Sequence, residues 1–212
     1  MTEALEAVGI LLAAGRGTRF SPDGTRNKLL ADAGGQPVCV AAAASMLAAL
    51  PEVAAATSPR TPEVAQALRA AGCAVLVCER SEGGMGCTLA QAVGALKAAR
   101  LAARRPLPAW CVMPADMPRV APATIAALLA AWRGLAPAGR GLAAIAPAHD
   151  GARGHPVLLG PDWTDALCGL DGDAGARALI APHLRLVAVD DPGCLYDVDT
   201  PEALAGLPPA AR

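Results

Sequence analysis

Along the chain, short unbroken apolar runs alternate with longer stretches in which apolar residues recur at helical spacing. Residues 8–13 form a continuous apolar run ending at Gly15, the pattern of a buried strand. A glycine- and arginine-rich loop follows as far as Lys28, and a helix is predicted from Pro37, where proline in the first turn sacrifices no hydrogen bond. Further strands are predicted at 53–57, 74–78, 110–113, 142–148, 156–159 and 184–189. Helices are predicted from Thr61-Pro62-Glu63 to Gly72, over 87–103 after the flexible Gly83-Gly84-Met85-Gly86 turn, from about Pro122, and after Pro201. At the first of these, Thr61 offers a capping hydroxyl and Glu63 a carboxylate favoured by the helix dipole. Asp150-Gly151 marks a turn between two of the strands.

Strand–helix alternation of this kind predicts an α/β fold with a mostly parallel sheet covered on both faces. Ligands of such sheets sit at the carboxyl ends of the strands. The Gly15 loop, Asp116 and the loop after Cys78 all fall at such ends, which is the first functional signal.

Composition narrows the picture. With 212 residues, 54% of them hydrophobic, the chain can bury a substantial core as one domain. No linker, charge block or repeat divides it, and with aromatics at 2% the core must be aliphatic and rich in alanine. A net charge of -1 and a pI near 6.3 argue against a nucleic-acid surface. The N-terminus lacks signal-peptide features, and the longest apolar stretch, 38–50, is too short for a bilayer and carries Ser45. The expectation is a soluble cytoplasmic protein with neither nucleic-acid nor membrane partner. Seven cysteines, an odd number without C-x-x-C spacing and mostly in apolar surroundings, read as core residues.

The most informative segment is LLAAGRGTRFSPDGTRNKLL, residues 11–30. A strand ending in Gly15-x-Gly17 can turn sharply and aim backbone N–H groups at a phosphate. It is not a Walker A loop, since no G-x-x-x-x-G-K-[ST] occurs, and it is not a dinucleotide fingerprint, since the sixth position is Phe20. Arg16, Arg19, Arg26 and Lys28 in one short span fit a polyanion such as a triphosphate; an ordinary solvated basic loop is the alternative. The chain has only two lysines, Lys28 and Lys97, against 16 arginines. A lysine retained in this loop therefore points to a need for a compact point charge.

Asp116 follows the apolar strand directly, between Pro114 and Pro118, where a carboxylate can hold Mg²⁺ or cap its own turn. Asp197-Val198-Asp199 supplies a second carboxylate pair, on one face if the segment is extended, although Asp199 also suits the start of the following helix. His155, between Gly154 and Pro156, has no Cys or His partner for a metal site; its rigid flanks shape it for presentation.

With these residues identified, the chain resembles the molybdenum cofactor nucleotidyltransferases, in particular the molybdenum cofactor cytidylyltransferase branch. The resemblance spans residues 8–204 and rests on LLAAGRGTR with NKLL, GGMGCTLAQAV, PADMP, RGHPVLL, GDAGAR and DVDTPEAL in that order. It implies a Rossmann-like three-layer sandwich of the nucleotide-diphospho-sugar transferase type, its nucleotide-binding part at about 7–118 and its acceptor-binding part at about 119–207. It implies CTP as substrate, held by Leu12, Ala13, Ala14, Gly15, Arg16, Gly17, Thr18, Arg19 and Lys28, with Gly84, Gly86 and Thr88 completing the nucleotide site. Arg19, Lys28 and Asp116 are the catalytic candidates, and Asp116 with Asp199 or Asp197 would hold Mg²⁺ or Mn²⁺. Arg153, Gly154, His155, Pro156, Asp173 and Gly175 would line the pocket of a phosphorylated, molybdopterin-type acceptor, and a recipient molybdenum enzyme is an implied partner. Ala14 matches the cytidylyl branch, where the guanylyl enzymes usually carry glycine. Two features depart from the family: Arg19-Phe20-Ser21 replaces R-M-G, with residues 22–26 lengthening the loop, and alanine rather than glycine precedes Asp116. The competing readings are a nucleotidyltransferase for a guanylyl or sugar-phosphate reaction, a nicotinamide oxidoreductase, and a non-catalytic cofactor carrier.

Overall fold

The computed structural model describes residues 6–15, 17, 19–21 and 25–206. Four parallel strands lead: β1 (Ala7–Ala13), β2 (Val53–Thr57), β3 (Ala74–Val77) and β4 (Ala109–Pro114). After them come β5 (Ala144–His149), the two-residue β6 (Ala152–Arg153), β7 (Val157–Leu159) and β8 (Leu184–Ala188). Among the described residues these make one eight-stranded sheet in the order β3-β2-β1-β4-β7-β5-β6, with β8 paired to β5. Strands β7 and β6 run against their neighbours and the remainder are parallel, so the fold is a mostly parallel, Rossmann-like α/β sandwich. Register is fixed by burial. Leu11 lies opposite Ala55 on one side and Met113 on the other, and all three are under the same helices.

Alternation along β1 sends Ala7, Leu11 and Ala13 to one core and Val8 and Ile10 to the other. The first core is closed by α1 (Val38–Ala49), α2 (Pro62–Ala70) and α4 (Pro122–Arg133). The second is closed by α3 (Met85–Ala102) and the short α6 (Thr164–Cys168) and α7 (Arg177–Ile180). Gly9 shows why small residues matter here: a Cβ would stand 2.8 Å from Met46 Cε, so the Met46 methyl, packed against the strand, would have to shift. In the second core the Trp110 indole N–H donates to Thr164 Oγ1 at 2.9 Å, which satisfies the polar tip of the largest fully buried side chain.

Most predicted elements fall within a residue or two of their observed limits. Asp150 and Gly151 both have positive φ, +50° and +78°, and join β5 to β6 as the Asp-Gly turn requires. Two expectations need correction. Thr61 stands at the start of α2, but its hydroxyl donates to the Ser58 carbonyl at 3.4 Å rather than capping the helix. Asp199 does not start α8 (Pro201–Ala205); the cap is Thr200, whose hydroxyl accepts from the Ala203 N–H at 3.2 Å. The short α5 (Pro137–Arg140), α6 and α7 carry too few turns to register as periodicity. All seven cysteines are free thiols; burial pushes Cys39, Cys73 and Cys78 up to about 11 and Cys111 to about 12. No helix among the described residues is long and apolar enough to cross a membrane.

Candidate active site

The sheet order reverses at β1: β2 follows on one side and β4 lies on the other. Beyond the carboxyl ends of these strands opens a cavity of about 750 Å³, where an open α/β sheet is expected to bind its ligand. The chain leaves β1 through Ala14, Gly15 and Gly17, all on the cavity wall. Gly17 has φ +61°, and a Cβ there would stand 3.2 Å from Lys28 Cγ. The glycine thus supplies both the left-handed turn and the room for the lysine stem. Lys28 opens a one-turn 3-10 helix, Lys28–Leu30, capped by the Asn27 side chain, which accepts from the Leu29 N–H at 3.0 Å. Leu29, 3% exposed, anchors that turn in the first core.

Two carboxylates from distant parts of the chain meet at this lysine. Lys28 Nζ lies 2.5 Å from Asp116 Oδ2 and 2.8 Å from Asp199 Oδ1. Asp116 sits just past β4, where the preceding Ala115 N–H donates to the Leu12 carbonyl at 3.0 Å. Its own carbonyl accepts from Val198 N–H at 2.8 Å, stitching the late segment to the strand end. Val198 is fully buried against Phe20 and Val38, and the aspartates on either side of it both line the cavity. Phe20 thereby helps fasten the loop to the Asp197–Asp199 segment. Arg19 reaches Asp199 Oδ2 at 2.7 Å from an exposed position. Arg26 does not join it; its guanidinium stacks over the Phe20 ring, 5.4 Å from the centroid.

The electrostatics follow from these contacts. Burial alone would lower Lys28, but the charges and hydrogen bonds of Asp116 and Asp199 outweigh it and hold its pKa above the ordinary lysine value. Burial likewise opposes ionisation of Asp199, and Lys28 and Arg19 overcome it, so its pKa is lowered. Asp197 has no such partner; burial and then the charges of Asp199 and Asp116 raise its pKa. Asp116 Oδ1 is buried with no hydrogen-bond partner among the described residues.

Leu12, Ala14, Gly15, Gly17, Arg19, Lys28, Gly84, Thr88, Asp116, Asp197, Asp199, Arg153, Gly154, His155 and Asp173 all line the one cavity. Arg16 and Thr18, and the loop extension at 22–24, lie outside the described residues. Ala13 faces the first core at 1% exposure rather than the cavity. Gly84, on the cavity wall, and Gly86 are both packed closely against residues 171–174. Gly84 has φ +110°, and a Cβ on Gly86 would stand 2.8 Å from the Asp171 and Gly172 carbonyls. The Gly86 N–H already donates to Gly172 O at 2.8 Å, so the start of α3 is seated on the loop 171–175 instead of presenting that N–H to a phosphate. Gly175 lines a second cavity of about 450 Å³ that opens off the first and shares Arg153, Gly154 and His155 with it. Pro156 is buried behind a cis His155–Pro156 bond. Burial, reinforced by Arg153 and Arg177, pushes His155 down to about 4, so its ring is neutral near pH 7, and among the described residues its Nδ1 has no partner.

Ser81, Glu82, Met85 and Met117 also line the wall, with Leu29, Pro114, Cys194 and Leu195, and were not singled out as site residues from the sequence. Ser81 and Glu82 follow β3, and their position after a strand end was the available signal. The Ser81 hydroxyl donates to Ser58 Oγ at 3.2 Å, and Glu82 pairs with Arg60.

Fold and site together define the class: the protein is a nucleotidyltransferase. Residues 9–188 match the MobA-like NTP transferase domain, and the chain belongs to that family, the family of the molybdenum cofactor nucleotidyltransferases. Among solved structures it is similar to Rv0371c from Mycobacterium tuberculosis H37Rv, with 26% identity and a TM-score of 0.72 over 97% of this chain and 100% of the other. A second structure of Rv0371c, in complex with manganese, gives 25% identity and a TM-score of 0.70 over 95% and 97% of the two chains. A nucleotidyl transferase from Methanothermobacter thermautotroptrophicus (Mth528) shares the fold, with 21% identity and a TM-score of 0.74 over 94% of each chain. So does a CMP:2-keto-3-deoxy-manno-octonic acid synthetase complexed with CTP, with 18% identity and a TM-score of 0.63 over 94% and 95%. No curated protein matches the chain.

Proposed function

We propose that the protein transfers CMP from CTP to the terminal phosphate of the molybdenum–molybdopterin cofactor, releasing pyrophosphate, with Mg²⁺ or Mn²⁺ as the required ion. The observation that carries this reading is the convergence of Lys28, Asp116 and Asp199 at the switch point of the sheet, with Arg19 at the rim. In this reading residues at about 7–118 hold the nucleotide and those at about 119–207 hold the acceptor.

The donor set fits a hard divalent ion. It is made of carboxylate oxygens, and Asp116 Oδ1 is a buried acceptor without a partner among the described residues. Asp116 and Asp199 would hold the ion, with Asp197 beside them; when bound it neutralises phosphate charge and helps align the triphosphate. The rest of the chemistry belongs to the chain and its substrates. An acceptor phosphate is mostly ionised at neutral pH, with a second pKa of about 6, so it attacks the α-phosphorus without a general base. Its oxygen bonds to that phosphorus while the bond to the β-phosphate bridging oxygen breaks, and pyrophosphate leaves. The barrier lies in gathering anions and accepting charge on the leaving group, which makes positioned cations the main catalysts. On this reading, Lys28, held on the cavity wall between Asp116 and Asp199, turns to the leaving phosphates. Arg19 can turn to them at small cost, because an exposed ion pair is worth about 0–1 kcal/mol. Neutral His155 offers a hydrogen bond rather than a charge to the acceptor, and Arg153 supplies the positive charge beside it.

Ala14 on the nucleotide wall supports cytosine over a purine, since glycine at that strand end would leave more room. The test is pyrophosphate release from CTP, GTP, ATP and UTP, each with molybdopterin, its molybdenum form, or a sugar 1-phosphate. CTP with the molybdenum form is expected to lead, by at least about tenfold over GTP in kcat/KM, which corresponds to about 1.4 kcal/mol. Turnover with a sugar 1-phosphate and none with either pterin would overturn the acceptor assignment. Equal use of GTP would overturn the nucleotide assignment alone.

A further inference from the structure

The ammonium of Lys28 occupies the shared focus of the two carboxylates that the proposed reading gives to the metal. Asp116 Oδ2 and Asp199 Oδ1 lie 2.5 Å and 2.8 Å from it. The lysine is not a loose surface partner: its side chain is only 10% exposed, its stem lies against Gly17, and its turn is pinned by the Asn27 cap and buried Leu29. Nor is the arrangement redundant. Asp116, Asp197 and Asp199 crowd one wall, and Lys28 is the buried cation among them, while Arg19 reaches Asp199 from solvent.

A divalent ion shared by these carboxylates can take Asp116 Oδ1 unopposed, but at Asp199 both oxygens already accept from a cation, Oδ1 from Lys28 and Oδ2 from Arg19. An ammonium held at hydrogen-bond distance between the two acids and a dication between the same two acids repel each other and compete for the same space. We propose that Lys28 is the resident, displaceable counter-ion of the metal site, and that it must leave the two aspartates for the phosphates before the ion can settle. This rests on the assignment of Asp116 and Asp199 as metal ligands, and it goes further by giving the order of events. The nucleotide-free protein holds divalent ions weakly. The triphosphate draws the ammonium away and opens the carboxylates, so nucleotide and metal bind with positive coupling, each strengthening the other by the same factor. The lysine thus serves two states in turn, which a planar guanidinium is poorly shaped to do.

Two measurements on nucleotide-free protein test it. The first is Mn²⁺ binding followed by the electron paramagnetic resonance signal of the free ion, for wild type, Lys28→Gln, Asp116→Asn and the double variant. Lys28→Gln is expected to bind Mn²⁺ at least about tenfold more tightly than wild type, with the gain lost in the double variant. Equal affinity in wild type and Lys28→Gln, with binding abolished by Asp116→Asn, would overturn the counter-ion role and leave the metal assignment standing. Binding untouched by Asp116→Asn would overturn the metal assignment and the inference with it. The second uses wild type alone, so it does not depend on a variant folding. The chain has two lysines, so ¹⁵N-lysine labelling yields two side-chain ammonium signals, and Lys97→Arg assigns them. Saturating Mg²⁺ is expected to shift the Lys28 signal and leave that of Lys97, which pairs with Asp165 in solvent. A Lys28 signal unmoved at saturation would overturn the proposal.

Discussion

At the scale of single residues, the site gathers a few charges at one point: Lys28 between Asp116 and Asp199, with Arg19 reaching Asp199 from the rim. Asp116→Asn keeps shape but removes charge, leaving Lys28 short of a charged partner and, on the proposed reading, the ion short of a ligand; turnover is expected to fall on the order of 10²–10³-fold. Steady-state pyrophosphate release checks this, and activity within a few-fold of wild type would move the metal elsewhere. Lys28→Ala is expected to lower kcat and kcat/KM together with only a modest rise in KM for CTP, because its charge counts most as pyrophosphate leaves. Lys28→Arg should be nearly as damaging, whereas a merely basic loop would accept that exchange freely. The scarcity of lysine made Lys28 legible in the sequence, and the strand ending at Asp116 made that residue legible too. The pairing of the two was not, since 88 residues separate them and only the stitch from Val198 to the Asp116 carbonyl brings Asp199 to the same point. Asp199 over Asp197 is likewise a matter of which carboxylate meets a cation, and spacing alone leaves them equivalent.

At the scale of elements, the strand ends and helix starts carry the site, and they were the most readable feature of the chain. Apolar runs gave the strands and glycines their ends, because a buried parallel strand must be apolar on both faces. Pairing direction was not readable: β7 is a three-residue strand inserted antiparallel between β4 and β5, and so short a run has no period to interpret. The glycines before α3 were readable as special but not in purpose. Their room is taken by the 171–175 loop, a contact that no local pattern announces. Gly86→Ala would force that loop off the helix against two backbone carbonyls, and a loss of about 1–3 kcal/mol is expected. Urea denaturation midpoints measure it, and an unchanged midpoint would mean the loop yields freely.

For the molecule as a whole, stability and chemistry meet at His155. Its ordinary pKa near 6.5 is pushed down to about 4 by burial and by Arg153, with Arg177 adding to it and Asp116 opposing. The unfolded chain therefore takes up a proton between about pH 6.5 and 4 that the folded protein refuses. Stability from this source is complete above pH 6.5 and is lost as pH falls through that window, by on the order of 2–3 kcal/mol. His155→Gln should flatten the difference between unfolding free energies at pH 7.5 and 4.5 by that amount, whereas an equal loss in both proteins would contradict a neutral buried ring. One sheet runs through both parts of the chain, and the two cavities beyond its strands share Arg153, Gly154 and His155. The most direct test follows the label. With the molybdenum–molybdopterin acceptor and Mg²⁺, CTP labelled at the α-phosphorus should pass its label to the acceptor, while γ-labelled CTP should yield labelled pyrophosphate and no free phosphate, with both signals lost on chelation of the metal. Release of the γ-label as inorganic phosphate, with the α-label left on CDP, would contradict nucleotidyl transfer.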